Sequence, residues 1–185
     1  MKWEIVCTGI GGRGVLLASA VLIETAISAG YRAMASDELG MSQRGGSVVS
    51  LVKVGTFRSP FVGRENADVI LSFEESEFYR NLSFLKKGGL AIVNSRGSAV
   101  PSPVEALLLA RKTRCFLVNA DEIAGRAGSI QASNMAMLGF FSAFAMGPYS
   151  IEHIVGALER KVAPRLFATN KTVCEAGRNE ALQRL

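Results

Sequence analysis

At 185 residues, with 49% hydrophobic residues and a formal net charge of +5, the chain suits one folded domain over residues 1–185 with a substantial core, which excludes disorder. No run of about 18 uncharged apolar residues occurs, so no membrane-spanning helix is expected. Trp3, Ile5 and Val6 enter a strand-like run at once, leaving no room for a signal peptide and pointing to the cytoplasm.

Further exclusions follow from the placement of charges and thiols. The basic residues are spread out, without a dense run or interleaved aromatics, so a nucleic-acid partner has the least support. Cys7, Cys115 and Cys174 are scattered singly and are expected to be reduced. With no C-x-x-C and no Cys/His cluster, no metal or iron-sulfur site is expected on this chain.

The first strand is expected over the apolar run Trp3 to Thr8, followed by Gly9-Ile10-Gly11-Gly12-Arg13-Gly14 and a helix from Val15 to Ala29 closed by Gly30. Gly9, Gly11 and Gly14 fit G-x-G-x-x-G. Its missing β-carbons permit a tight turn, a close ligand and close helix–strand packing, while the helix-start amides favour an anion. A glycine turn after a first strand also serves purely structural ends. Arg13 opposes the positive end of the helix dipole, a conflict that an anionic ligand or a carboxylate would remove. Glu24 is the only charge of this helix, whose apolar residues spread around most of its circumference, so cover on more than one side, in part from another chain, is expected.

A second strand over Tyr31 to Ser36 leads to Asp37, placed near where a dinucleotide fold puts an acid for ribose hydroxyls. The loop Gly40-Met41-Ser42-Gln43-Arg44-Gly45-Gly46 follows, long and chemically rich for a simple connection. Ser47 to Val54 is β-rich. Asp68 to Ser72 is a short buried strand, and Ser72 and Glu75 have capping-box spacing for a helix to about Leu85, stopped by Gly88-Gly89. Glu74 and Glu75 are candidates to line a site at the strand ends, or simply to stabilise the helix start.

Leu90 to Asn94 and Cys115 to Asn119 read as further strands flanking a helix from Val104 to Arg111. Beyond Asp121 the chain reads as helices: Asp121 to Arg126, Asn134 to Met146, Ser150 to Val162, and from about Asn170 to the end, punctuated by Pro148 and Pro164. Asn134 to Met146 carries no charge, which suits a buried core helix or a subunit interface. His153, alone on the next helix, has no catalytic role assigned. The fold class is therefore α/β: a Rossmann-like three-layer arrangement of a mostly parallel sheet flanked by helices, with a helical C-terminal region.

No catalytic acid, base or nucleophile constellation stands out. The octapeptide Gly40 to Ser47, with Gly9 to Val15, Ala67-Asp68-Val69-Ile70, Lys87-Gly88-Gly89 and Asn134 to Gly139, resembles the small (gamma-type, or beta) subunits of the 2-oxoacid:ferredoxin oxidoreductases, above all those acting on indolepyruvate. The resemblance implies oxidative decarboxylation of an aryl-2-oxoacid with coenzyme A as co-substrate and ferredoxin as electron acceptor. It places thiamine diphosphate and the iron-sulfur clusters on a large partner subunit, so this chain is inactive alone and, when isolated, open to homo-oligomerisation. Where the family usually carries glutamine, this chain has Arg13, which only donates and adds charge. Gly9, Gly11, Gly12, Arg13, Gly14, Ser42, Gln43, Arg44, Gly45 and Gly46 are thus the expected anion-, ligand- or partner-facing residues, with Asp37 and Glu74 secondary. A nicotinamide-dependent oxidoreductase and a non-catalytic interaction module remain the alternatives.

Overall fold

The computed structural model describes residues 1–40 and 45–185. Six strands form one sheet: β1 (Trp3–Ile10), β2 (Ala33–Leu39), β3 (Ser47–Val54), β4 (Ala67–Ser72), β5 (Leu85–Asn94) and β6 (Arg114–Val118), in spatial order β2-β3-β1-β4-β5-β6. Strands β4, β5 and β6 pair in parallel from β1 outward, whereas β3 is antiparallel to both β1 and β2. Five of the six strands therefore run one way, and only β3 returns. That reversal brings the β2–β3 connection to the same edge of the sheet as the carboxyl ends of β1, β4, β5 and β6.

Alternation along the strands feeds two cores. On one face Ile5, Cys7, Val69, Leu71 and Ile92 pack under α1 (Val15–Ser28), α4 (Ala120–Arg126), α5 (Ser133–Ser142), α6 (Ile151–Lys161) and α7 (Pro164–Leu182). On the other, Val6, Ile70, Ala91 and Val93 pack under α2 (Glu75–Asn81) and α3 (Ser102–Ala110). The three-layer arrangement expected from the alternating elements is the one observed.

All ten residues of α5 are buried, which explains a helix without charge: it lies inside the core, covered by α7, α4 and α6. Cover of α1 also comes from within the chain, with α6 packed beside it and Arg160 and Lys161 reaching Glu24 at 2.8 and 3.1 Å. Leu16 and Ile27 remain 40% and 53% exposed.

Several boundaries differ from the sequence reading, each for a tertiary reason. Ser72 does not cap α2; its hydroxyl donates instead to the Glu74 carbonyl at 2.7 Å. The α-helix ends at Asn81 and a 3-10 turn, Leu82–Phe84, carries it to the expected end near Leu85, but Lys86 to Gly89 lie inside β5, where the register against β4 shifts. Gly88, at φ +72°, donates its amide to the Arg111 carbonyl at 2.8 Å, so these glycines make a bulge in a strand, where a helix stop was expected. Pro164 opens α7 at its first turn, where its missing N–H costs nothing, so the last helix starts before Asn170.

Candidate functional site

The carboxyl edge of the sheet gathers the glycine turn, both ends of the β2–β3 loop and the turns after β4, β5 and β6. Within the turn the glycines have different duties. A β-carbon on Gly9 would stand 2.8 Å from Val15 Cγ2 and 3.2 Å from Phe73 Cβ, so Gly9 permits helix–strand packing. Gly14 caps α1 at φ +72°, and a β-carbon there would meet Asn134 Nδ2 at 2.4 Å. Asn134, buried at the start of α5, donates to the Gly14 carbonyl at 3.2 Å. Gly12 has φ +91° with open space around it.

Gly11 is the exception. Its φ is not in the left-handed region, and among the described residues a β-carbon would make only ordinary contact with Gly45, at 3.8 Å. Its amide donates to the Gly46 carbonyl at 2.9 Å, so the two glycine-rich stretches are hydrogen-bonded to each other. Ser42, Gln43 and Arg44 lie outside the described residues.

Arg13 finds its counter-charges within the chain. Nη1 donates to both carboxylate oxygens of Asp121 at 3.1 and 3.2 Å, and Nη2 to Glu74 at 3.1 Å. Burial works against the charged guanidinium, but the attraction of Asp121 and then of Glu74 outweighs it, moving its pKa upward. Asp121, 7% exposed, also accepts from Asn94 Nδ2 at 3.3 Å and has Arg96 at 3.8 Å. One guanidinium thus ties together the turns after β1, β4 and β6, and it relieves the dipole conflict with internal carboxylates.

The acidic start of α2 grips a different loop with each side chain. Glu74 holds Arg13; Glu75 accepts from Ser95, after β5, and from Tyr79; Glu77 accepts from Ser47 at 2.6 Å. The hydrogen bonds from Ser95 and then Tyr79 hold the Glu75 carboxyl below the usual glutamate range. A carboxyl depressed on folding stabilises the native state above its unfolded pKa, about 4.3, and that stabilisation disappears as pH falls through the folded value. Ser95→Ala is therefore expected to move the acid-unfolding midpoint, followed by circular dichroism, to higher pH while leaving neutral-pH secondary structure intact.

Asp37 is not part of this edge. It lies on the outer strand β2, level with Ser50 and hence with Cys7 of β1, and accepts a hydrogen bond from Ser50. With β3 between it and β1, it does not reach the glycine turn as the acid of a dinucleotide fold would. The contributors that sequence reasoning missed are Asn94, Asp121 and Glu77; their residue types carry no local signal, and only the sheet brings them to one edge.

Beside the glycine turn lies a cavity of about 340 Å³ lined by Gly12, Gly14, Asn134, Lys161 and Asn170 among others. A hollow of about 430 Å³ between α3 and β6 shares no lining residue with the turn, whereas one of about 440 Å³ is lined by Arg96 and by Asp121, the partner of Arg13. The three thiols are free and separate; burial pushes Cys7 upward, Cys115 to about 11 and Cys174 to about 12. Among the described residues no three His, Cys, Asp or Glu side chains form a metal-ligand set, and none of the helices described is long and apolar enough to cross a membrane.

Comparison with known proteins gives this edge a context. The sequence pattern of the family described as pyruvate ferredoxin/flavodoxin oxidoreductase matches residues 4–180. Indolepyruvate oxidoreductase subunit IorB of Archaeoglobus fulgidus is 33% identical, over 98% of this chain and 96% of that protein. The protein of the same name from Pyrococcus horikoshii is 31% identical, over 100% and 98%. Among solved structures, the keto/oxoacid ferredoxin oxidoreductase gamma subunit of Geobacter sulfurreducens superposes with a TM-score of 0.79 at 25% identity, covering 98% of this chain and 99% of that one.

Proposed function

The chain belongs to the pyruvate ferredoxin/flavodoxin oxidoreductase family, and from that premise we propose that it is the small subunit of a cytoplasmic, indolepyruvate-type 2-oxoacid:ferredoxin oxidoreductase. The complex converts an aryl-2-oxoacid and coenzyme A to acyl-coenzyme A and carbon dioxide, passing two electrons to ferredoxin. Thiamine diphosphate supplies the electron sink and iron-sulfur clusters the relay, and both belong to the large partner subunit. The three free thiols of this chain, of which Cys7 and Cys174 are buried, support that division.

The chain's own contribution is a preformed surface at the carboxyl edge. Open α/β sheets bind ligands outside those ends. No side chain caps the first turn of α1, so its amides face outward toward an anionic group of coenzyme A or a carboxylate of the partner. Arg13 acts here as a brace, since Glu74 and Asp121 already hold it, and the anion is met by backbone amides and by the loop from Gly40 to Gly46. The observation that supports this reading is the hydrogen bond from Gly11 to Gly46, which ties the end of the β2–β3 connection to the glycine turn.

Co-expression with the large subunit tests the proposal: the pair should reduce ferredoxin on indolepyruvate with coenzyme A, and neither chain should do so alone. Gly11→Val is the diagnostic variant. Because the described surroundings of Gly11 tolerate a β-carbon, its unfolding free energy should change by no more than about 0.5 kcal/mol, while activity of the complex falls at least tenfold. A fully active Gly11→Val complex would place the working surface elsewhere.

A further inference from the structure

We propose that Glu77 is a positioning residue for the neck of the β2–β3 connection, holding Gly40, Gly46 and Ser47 in place beside the glycine turn. The inference rests on reading the carboxyl edge as the working surface, and it concerns how that surface is built. Glu77 lies on α2, in the layer opposite α1, and its side chain is 3% exposed. Burying a carboxylate is costly unless hydrogen bonds and charge compensate. Its partners are the Ser47 hydroxyl at 2.6 Å and the largely exposed Arg80, whose Nη1 lies at 3.3 Å.

The Ser47 contact is what gives Glu77 its reach. Ser47 ends the octapeptide, begins β3 and stands directly opposite Ile10, the last residue of β1. Its carbonyl accepts the Gly40 amide at 2.7 Å, which closes the loop's neck. Glycine suits that closure, because a β-carbon on Gly40 would stand 3.1 Å from both Ser47 N and O, a tight fit. One residue earlier, Gly46 accepts from Gly11. A single chain of contacts therefore runs from Glu77 through Ser47 to both strands of the neck and on to the glycine turn. Removing the carboxylate frees the Ser47 side chain and loosens the neck, while Phe78, the core residue of α2, stays in place.

Amide exchange on the isolated chain, followed by NMR, reads this directly without the partner. In Glu77→Ala the amides of Gly11 and Gly40 should lose at least tenfold protection, those of β4 and β5 should keep theirs, and Glu77→Gln, whose carbonyl still accepts from Ser47, should restore most of it. Ser47→Ala, which removes the same hydrogen bond from the other side, should reproduce the loss and supplies the test if Glu77→Ala does not fold. Unchanged exchange at Gly11 and Gly40 in either variant, or a uniform loss across the sheet, would overturn the assignment. In the assembled complex, Glu77→Ala should raise the KM for coenzyme A or weaken subunit association several-fold, with kcat altered less than twofold. A loosened neck with all these quantities unchanged would overturn the role in the reaction and trace the failure to the reading of the edge.

Discussion

Gly139→Ala is expected to destabilise the chain by about 3 kcal/mol or more. A β-carbon at Gly139 would lie 1.7 Å from the Cys174 carbonyl oxygen, and one at Gly177 would lie 2.0 Å from the Ala136 carbonyl oxygen. These two glycines face each other's helices, so α5 and α7 meet backbone to backbone. A flexible side chain could swing away from an added methyl, but a carbonyl cannot, and α5 is buried along its whole length. Relief requires the helices to separate, opening the core on both sides. Overpacking usually costs about 1–3 kcal/mol, occasionally more, and a main-chain collision belongs at or above the top of that range. Against a total stability of about 5–15 kcal/mol, that is a large share, and it brings a chain near the lower end of the range close to unfolding. Urea unfolding checks it, with Gly125→Ala as the control: that glycine is exposed inside α4 with nothing within 4 Å, and its replacement should stabilise by about 0.5–1 kcal/mol. A Gly139→Ala midpoint equal to that of the parent would mean that α5 and α7 do not cross so closely.

Gly14→Ala should destabilise by about 2–5 kcal/mol, the sum of two separable costs. The left-handed conformation of residue 14, at φ +72°, costs an alanine about 1–2 kcal/mol. Contact with Asn134, only 2.4 Å from the added carbon, adds an overpacking cost of about 1–3 kcal/mol. Combining the change with Asn134→Ala should recover the second cost and leave the first, giving a coupling of at least about 1 kcal/mol in a double-mutant cycle. Gly12→Ala, strained at φ +91° but unobstructed, should show no such coupling. Simple additivity of the Gly14 and Asn134 changes would refute this account of the turn. The same comparison separates glycines that the fold requires from Gly11, which the described fold does not.

Strand β3 was legible to the residue, because Ser47 to Val54 is β-rich and glycines bound it on both sides. The charge-free stretch beginning at Asn134 could be read as buried, since no polar face was available to meet water, but whether it was core or interface depended on where α7 packed. Arg13 raised the expectation of a nearby negative charge. Its partners are 61 and 108 positions away, and nothing local selects Glu74 and Asp121 from sixteen acids. Ser72 had the spacing of a helix cap, yet a hydroxyl can serve several acceptors and the turn after β4 took it for Glu74. The Lys86 to Gly89 stretch had the composition of a helix stop, and only pairing with β4, together with the Arg111 carbonyl, makes it strand.

By itself the sequence determined the α/β class, the strand–turn–helix at the glycines, the burial of the charge-free helix and the family, because each rests on local composition, periodicity or a contiguous motif. Only the tertiary structure decided that β3 runs against its neighbours and so brings Gly46 to the glycine turn. It likewise decided that Arg13 is a brace between two carboxylates and that Glu77 stands under Ser47. Those are contacts between side chains far apart in sequence, and their free energy exists only once burial of both faces of the sheet has set strand order and brought the turns to one edge.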